Sequence, residues 1–230
     1  MAVSVVRGLK VEAGREVDLP AELTVRAGSL GCVVFARPRA GPLSRHFCGE
    51  DPELALARRL NRAGLATMTL DLLSGHEPAE RRFDISLLAD RLVAATRVVR
   101  EEPATARLPI GYFGVGTGTA GALWAAAELG REIAAVVCSG GRPDLARLCL
   151  GSVAAPTLVV VPGRDANLAE MGRRAMARIP AESDVAVVPA NGDPADVAVL
   201  AEGWFLRHLR ARRRRPAEVT SPRRRAMLAA

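Results

Sequence analysis

A glycine-rich stretch near the middle of the chain has the spacing of a catalytic turn but lacks a nucleophile. Residues 110–121 read Ile-Gly-Tyr-Phe-Gly-Val-Gly-Thr-Gly-Thr-Ala-Gly. In acyl-transfer enzymes, a Gly-x-Ser-x-Gly turn between a strand and a helix holds the nucleophile over the sheet. In Gly114-Val115-Gly116-Thr117-Gly118 the central position is Gly116. The spacing therefore predicts a nucleophile elbow from which the nucleophile has been lost.

Two later positions complete the candidate site, because the usual chain order is nucleophile, acid, histidine. Asp165 follows the apolar run 157–161, where the acid belongs, and Asp193 follows the run 185–188, where the histidine belongs. The three histidines are His46, His76 and His208, and none follows that last run. Without a nucleophile no acyl-enzyme forms, and without an imidazole no group there transfers protons near neutral pH.

The elements that must position these residues alternate between strands and helices. Val3–Glu12 and Val17–Arg26 predict two leading antiparallel strands. The short apolar runs predict buried strands over 31–36, 65–70, 110–113, 133–138, 157–161 and 185–188. Helical spacing covers 52–63, 83–102, 117–129, 168–179 and 195–210. This rhythm predicts an α/β fold with a mostly parallel sheet of about eight strands and helices on both faces.

The chain resembles the dienelactone-hydrolase branch of the α/β-hydrolase superfamily, and within it small bacterial members, some of them beside or fused to phosphoribosyltransferase domains. The resemblance extends over about residues 15–210 and implies the α/β-hydrolase fold. The stretches that carry it are Ala66–Leu73, Arg82–Ile85, Gly111–Gly114, Ala135–Val137, Gly140–Leu145, Ala155–Leu158, Gly163–Asp165 and Trp204–Leu209.

Departures from the family pattern imply a degenerate site. Relatives carry Ser at Gly116, His near Asp193, and a His-Gly pair at Arg37-Pro38 in the loop of the oxyanion hole. Proline offers no N–H to an oxyanion. The resemblance thus predicts a non-enzymatic binding or scaffolding protein, with an unknown small molecule or protein as its partner. The expected pocket region comprises Arg37, Pro38, Val115, Thr117 and His46.

Two alternatives stay open. Cys138 or Ser139, at the end of the strand after the elbow helix, could act as a displaced nucleophile of an ester hydrolase. The plainer interpretation makes Cys138 a buried strand residue and Thr117 a helix N-cap. The turn Gly114–Gly118 could also hold an anion or nucleotide, since 116–121 fits G-x-G-x-x-G. The dinucleotide fingerprint also needs an acidic residue about 20 positions on, where the sequence has Cys138, Ser139 and Gly140.

The net charge of +7 comes entirely from the C-terminal residues 210–230. Residues 210–230 contain eight arginines and one glutamate, which accounts for the whole charge and leaves 1–209 neutral. We therefore expect a domain over 1–210 and a flexible tail over 211–230, whose segment Arg212–Arg225 could bind an anionic partner. The four cysteines show no zinc or disulfide spacing. No cofactor, metal, signal peptide or membrane span is predicted, and we expect a cytoplasmic bacterial protein.

Overall fold

The computed structural model describes residues 4–14, 17–40, 51–163, 165–189 and 193–214. Its strands are β1 (Ser4–Glu12), β2 (Asp18–Arg26), β3 (Cys32–Ala40), β4 (Ala66–Leu73), β5 (Ile110–Val115), β6 (Ile133–Ser139), β7 (Thr157–Pro162) and β8 (Ser183–Val188). Its helices are α1 (Pro52–Arg62), α2 (Ile85–Glu101), α3 (Gly118–Leu129), α4 (Ala166–Met176) and α5 (Pro194–Arg214). Short 3-10 turns cover Ala79–Phe83, Gly130–Glu132, Pro143–Ala146 and Leu150–Ser152.

All eight strands form one sheet in the order β1-β2-β4-β3-β5-β6-β7-β8. β1 pairs with β2, and β2 with β4, in antiparallel fashion; every other pairing is parallel. The predicted fold class is therefore confirmed. Because β3 and β5 to β8 run in parallel, their carboxyl ends meet at one edge of the sheet, where ligands bind in open α/β sheets.

Alternate strand residues build two separate cores. On β3, Val34 and Ala36 join the core beneath α2, α3 and α4, while Val33 and Phe35 join the core beneath α1 and α5. Successive side chains of a strand point to opposite faces, so a strand covered on both faces is apolar throughout. Helices on both faces explain why most runs predicted as buried strands are apolar throughout; the run 65–70 alternates with Thr67 and Thr69, and both are buried.

Helix α3 lies close to its neighbours because it is built from small residues. A Cβ on Gly121 would lie 2.9 Å from Leu88 Cβ on α2. Eight of its residues, from Gly118 to Ala126, are buried. This close approach fixes the helix that follows the elbow.

Several elements end later than the sequence predicts. β3 continues to Ala40 and β4 to Leu73. Helix α5 continues to Arg214, four residues beyond the predicted domain boundary at 210. Its last turn is tied to the domain: Arg213 donates to the carbonyl of Ser29 at 2.6 Å, and Arg212 donates to that of Arg131. The remainder of the predicted tail, from 215 on, lies outside the described residues.

Within the described ranges, no helix combines the length and the apolar character needed to cross a bilayer.

Candidate functional site

Gly116 and Thr117 form the turn between β5 and α3, at the position where the sequence predicts the elbow. The φ of Gly116 is +55°, in the left-handed region that side chains rarely adopt. Among the described residues, a Cβ built there would meet only Pro38 Cγ, at 3.8 Å. Position 116 is therefore uncrowded with respect to the part of the chain that the structure describes, and it carries no side chain.

The glycines around Gly116 are needed for packing. A Cβ on Gly118 would overlap the carbonyl oxygen of Ala36 in β3, and one on Gly114 would lie 2.8 Å from the Gly118 carbonyl oxygen. A Cβ on Gly141, whose φ is +83°, would overlap the Gly116 carbonyl oxygen. The turn is thus held between β3 and the segment after β6.

Thr119, rather than Thr117, ties the turn together. Its hydroxyl donates towards the carbonyls of Gly114 at 3.3 Å and Gly140 at 3.2 Å. Thr117 occupies the N-cap position of α3, but its side chain makes no capping hydrogen bond. Its Oγ1 is buried and has no hydrogen-bond partner among the described residues. Thr117 is thus the N-cap residue of α3, as the sequence predicts, but without the side-chain hydrogen bond of a typical threonine cap.

Asp165 and Asp193 both lie at the carboxyl edge of the sheet, after the neighbouring strands β7 and β8. Both are exposed. Asp165 Oδ1 accepts a hydrogen bond from Leu168 N at 2.8 Å, and Asp193 Oδ1 accepts one from Ala195 N at 2.8 Å. Each carboxylate thus satisfies an N–H group at a helix start, a common structural role for aspartate.

Cys138 and Ser139 occupy different environments although they are adjacent. Cys138 is fully buried in β6, and burial raises the pKa of its thiol to about 12. Since the thiolate is the nucleophilic form, this environment works against Cys138 as a nucleophile. Ser139 is half-buried and lines a cavity at the sheet edge.

That cavity has a volume of about 260 Å³, just below the usual range for small-molecule sites of roughly 300–1,000 Å³. It lies on the face of the sheet covered by α1 and α5. Its described lining is mostly apolar, with Glu53 and Ser139 as the polar side chains. The apolar lining residues are Pro52, Leu56, Phe113, Val115, Val160, Val161, Pro162, Val188, Pro194, Val197 and Ala198.

A cluster of buried charges lies where β3 and β4 end. Arg37 is 1% exposed, with its Nε 3.0 Å from Asp71 Oδ1 and its Nη2 3.4 Å from Asp51 Oδ2. Arg39 pairs with Asp51 at 3.3 Å and with Glu53 of the cavity wall. Burial raises the pKa of Asp71, and the neighbouring Arg37 and Arg39 oppose that shift.

The sequence did not predict this charge cluster; Arg37 was expected only in the pocket region, beside Pro38. Asp51 also caps α1, through Glu53 N at 2.9 Å. Arg37 is thus enclosed by carboxylates from two elements. The available signal was the pairing of two strand ends in a parallel sheet, which places Arg37 beside Asp71.

The histidines do not assemble with these residues in the described structure. His76 is exposed in the loop after β4. His208 lies in α5 with its ring centroid 4.5 Å from that of Trp204, and burial lowers its pKa. His46 lies outside the described residues. No group of three histidine, cysteine, aspartate or glutamate side chains among those described converges to hold a metal ion.

Comparison with known proteins places this geometry in a family. The dienelactone hydrolase from Anabaena variabilis is 37% identical in sequence, with a TM-score of 0.79 over 90% of this chain and 99% of that protein. The chain belongs to the dienelactone hydrolase family. A dienelactone hydrolase-like promiscuous phosphotriesterase from metagenomic libraries shares the fold, with a TM-score of 0.68 and 18% sequence identity. The match covers 89% of this chain and 98% of that protein.

Two curated proteins, from two strains of Mycobacterium tuberculosis, are each 43% identical over 210 residues, or 87% of this chain. Each is named "Putative phosphoribosyl transferase". The chain spans 46% of their length, so it corresponds to about half of each relative. No protein-family model matches the chain.

Proposed function

We propose that this chain is a catalytically degenerate member of its family, which binds a small molecule at the sheet edge without hydrolysing it through a triad. The observation that supports the proposal is Gly116, which follows β5 in a left-handed conformation, is uncrowded among the described residues and carries no reactive atom. Asp165 and Asp193 would be the acid position and the lost histidine position. The mostly apolar cavity beside Val115 and Ser139 supplies a place for the ligand.

Phenyl acetate tests both halves of this proposal. Hydrolysis is followed by release of phenol, and binding by saturation-transfer NMR on the unhydrolysed ester. We expect a saturation signal without turnover above the rate in buffer. The signal should be lost in Val197→Trp, which fills the cavity, and kept in Val199→Trp, which changes an exposed residue of the same helix. Turnover that survives extensive purification would contradict the degenerate site.

The alternative of an ester hydrolase with a displaced nucleophile is now best represented by Ser139, because that side chain lines the cavity while Cys138 is buried. A fluorophosphonate probe discriminates the two functions. Labelling of the native protein that disappears in Ser139→Ala, with Cys138→Ala as the matched control, would favour the hydrolase. We expect neither residue to be labelled.

The alternative of an anion site at Gly114–Gly118 has one observation in its favour: the start of α3 lacks a side-chain cap. Titration with inorganic phosphate, followed by the amide resonances of Thr117 and Gly118, tests it. Phosphoribosyl transfer is suggested only by the names of two relatives that are about twice as long as this chain. The cavity at the sheet edge is more direct support for ligand binding than those names are for phosphoribosyl transfer.

Restoring the lost groups tests whether these positions correspond to a triad. In the double variant Gly116→Ser/Asp193→His we expect measurable phenyl acetate hydrolysis, which neither single variant should show, because nucleophile and base act together. No gain in the double variant would mean that Asp193 is not the histidine position or that the Arg37-Pro38 segment no longer stabilises an oxyanion.

A further inference from the structure

A second concave site lies on the opposite face of the sheet from the cavity. It is a groove of about 400 Å³ between α4 and the segment 143–152 that follows β6. Its described lining consists of Asp144, Arg147, Leu150, Asn167, Glu170, Met171, Arg174, Ala175 and Arg178. α4 packs on the α2/α3 face, whereas the cavity at the sheet edge is closed by α1 and α5. The two sites are therefore separate.

The groove concentrates positive charge on a domain that is neutral over residues 1–209. Three arginines and two carboxylates line it, and Arg142 and Arg173 flank it. The carboxylates are already engaged: Asp144 pairs with Arg142 at 2.7 Å, and Glu170 pairs with Arg174 at 2.9 Å and with Arg173 at 3.6 Å. The five arginines exceed the two acids by three charges, so the tail is not the only basic feature of the chain.

Arg147 and Arg178 are the groove arginines without an ion pair among the described residues, although the charge of Arg147 helps to lower the pKa of nearby Asp144. Both are exposed, and among the described residues no carboxylate lies within 4 Å of either guanidinium. They approach the groove from opposite walls, Arg147 from the segment after β6 and Arg178 from just beyond the end of α4. Guanidinium groups bind the oxygens of phosphate in a bidentate manner.

The floor between these arginines is apolar. Leu150 is 1% exposed and Ala175 4% exposed, and the half-buried Met171 lies beside them. Met is an adaptable contact for flat apolar groups. Asn167 adds an amide that can donate or accept a hydrogen bond.

We propose that this groove is a binding site for a small phosphate monoester with an apolar or aromatic body. A phosphate monoester carries about two negative charges at pH 7, which suits the excess positive charge better than a single carboxylate does. The phosphate lies between Arg147 and Arg178, and the apolar body covers Leu150 and Met171. This site does not depend on the degenerate elbow and remains if the proposed function fails.

Isothermal titration calorimetry with 1-naphthyl phosphate, 1-naphthalenesulfonate and 1-naphthol separates charge from apolar contact, because the three share one ring system. We expect the phosphate to bind at least tenfold more tightly than the sulfonate, and the neutral naphthol more weakly still. The affinity for the phosphate should fall as NaCl rises from 20 to 300 mM, since exposed charges are screened.

The double variant Arg147→Ala/Arg178→Ala should weaken binding of 1-naphthyl phosphate at least tenfold. Arg97→Ala/Arg107→Ala, which removes two exposed arginines elsewhere, is the matched control and should bind as the native protein does. The affinity of Arg178→Lys for 1-naphthyl phosphate should lie between that of the groove double variant and that of the native protein, because lysine keeps the charge but not the bidentate geometry.

Three outcomes would overturn the proposal. Naphthol binding as tightly as the phosphate would show an apolar site without charge recognition. Equal losses in the two double variants would show general attraction to a basic protein. No heat with 1-naphthyl phosphate up to 5 mM would show that the groove is not a site for this ligand class.

Discussion

Gly116 and Gly118 are two residues apart, yet a side chain would meet quite different surroundings at each. At Gly116 no described residue would crowd a Cβ, and the cost is conformational because φ is +55°. At Gly118 a Cβ would overlap the backbone of Ala36 in the neighbouring strand. We therefore expect the turn to tolerate a side chain at Gly116 better than at Gly118, which packs against β3.

A matched pair of substitutions measures this difference. Gly116→Ala should lower the free energy of unfolding by about 1–2 kcal/mol, the cost of a left-handed conformation for a residue with a side chain. Gly118→Ala should cost more than about 3 kcal/mol, since backbone atoms must move. Urea denaturation followed by tryptophan fluorescence gives both values. Equal losses would contradict the geometry described for the turn.

Arg37 is a buried charged residue, and its burial is favourable only because carboxylates lie beside its guanidinium. Its guanidinium lies between Asp51 and Asp71 and is almost inaccessible to water. Arg37→Met should destabilise the domain by about 3 kcal/mol, because it leaves two buried carboxylates without their main cation. Urea denaturation at pH 7 checks this. Arg97→Met, at an exposed position of α2, is the control, and a similar small loss in both would show that the cluster contributes little.

At the scale of elements, one ion pair holds the loop between β4 and α2. Arg91 of α2 donates to both carboxylate oxygens of Glu77, at 2.6 and 2.7 Å, and to the carbonyl of Leu72 at 2.6 Å. These hydrogen bonds from Arg91 lower the pKa of Glu77 to about 2. The loop that leaves the sheet beside the Arg37 cluster is thereby fixed to a buried arginine.

The lowered pKa gives this pair a defined pH dependence. The unfolded chain takes up a proton at Glu77 near pH 4.5, and the folded chain only near pH 2, so the stabilisation is complete above about pH 4.5 and is lost between these values. Glu77→Gln should cost about 2 kcal/mol at pH 7 and flatten the stability profile between pH 4.5 and 2. Urea denaturation across this range measures it.

Glu80→Gln is the control for that change, because Glu80 is exposed in the same loop. It should leave both the stability at pH 7 and the acid slope close to those of the native protein. If both variants keep the native slope, the acid sensitivity of the domain arises at other carboxylates and the Arg91 contact does not govern it.

For the whole molecule, the end of the folded domain lies in α5. Phe205 and Leu209 are fully buried, and the last described turn reaches Ser29 through Arg213. We predict that removing residues 215–230 changes Tm by less than about 2 °C, whereas ending the chain at Trp204 prevents folding. Differential scanning calorimetry tests both. A fall of about 5 °C or more in the shorter deletion would show that the tail packs on the domain.

Local patterns in the sequence were sufficient to predict the fold and the glycine turn between β5 and α3. Apolar runs of strand length, helical spacing between them and the glycine turn at 114–118 are encoded within a few residues, so they can be recognised without tertiary contacts. The family resemblance added the order of the positions Gly116, Asp165 and Asp193. Element ends were less accurate, as with β3 and α5, because packing and capping decide where an element stops.

Only the tertiary structure decided what surrounds those positions. Whether Cys138 is reactive depends on burial by elements distant in the chain, and the Arg37 cluster needs two strand ends and a helix start to meet. The arginine groove joins residues 144–150 to 167–178, while the summed charge of the domain is zero. The net charge calculated from composition ignores where each charge lies, whereas the electrostatic energy of binding depends on the distances between charges, which the tertiary structure sets.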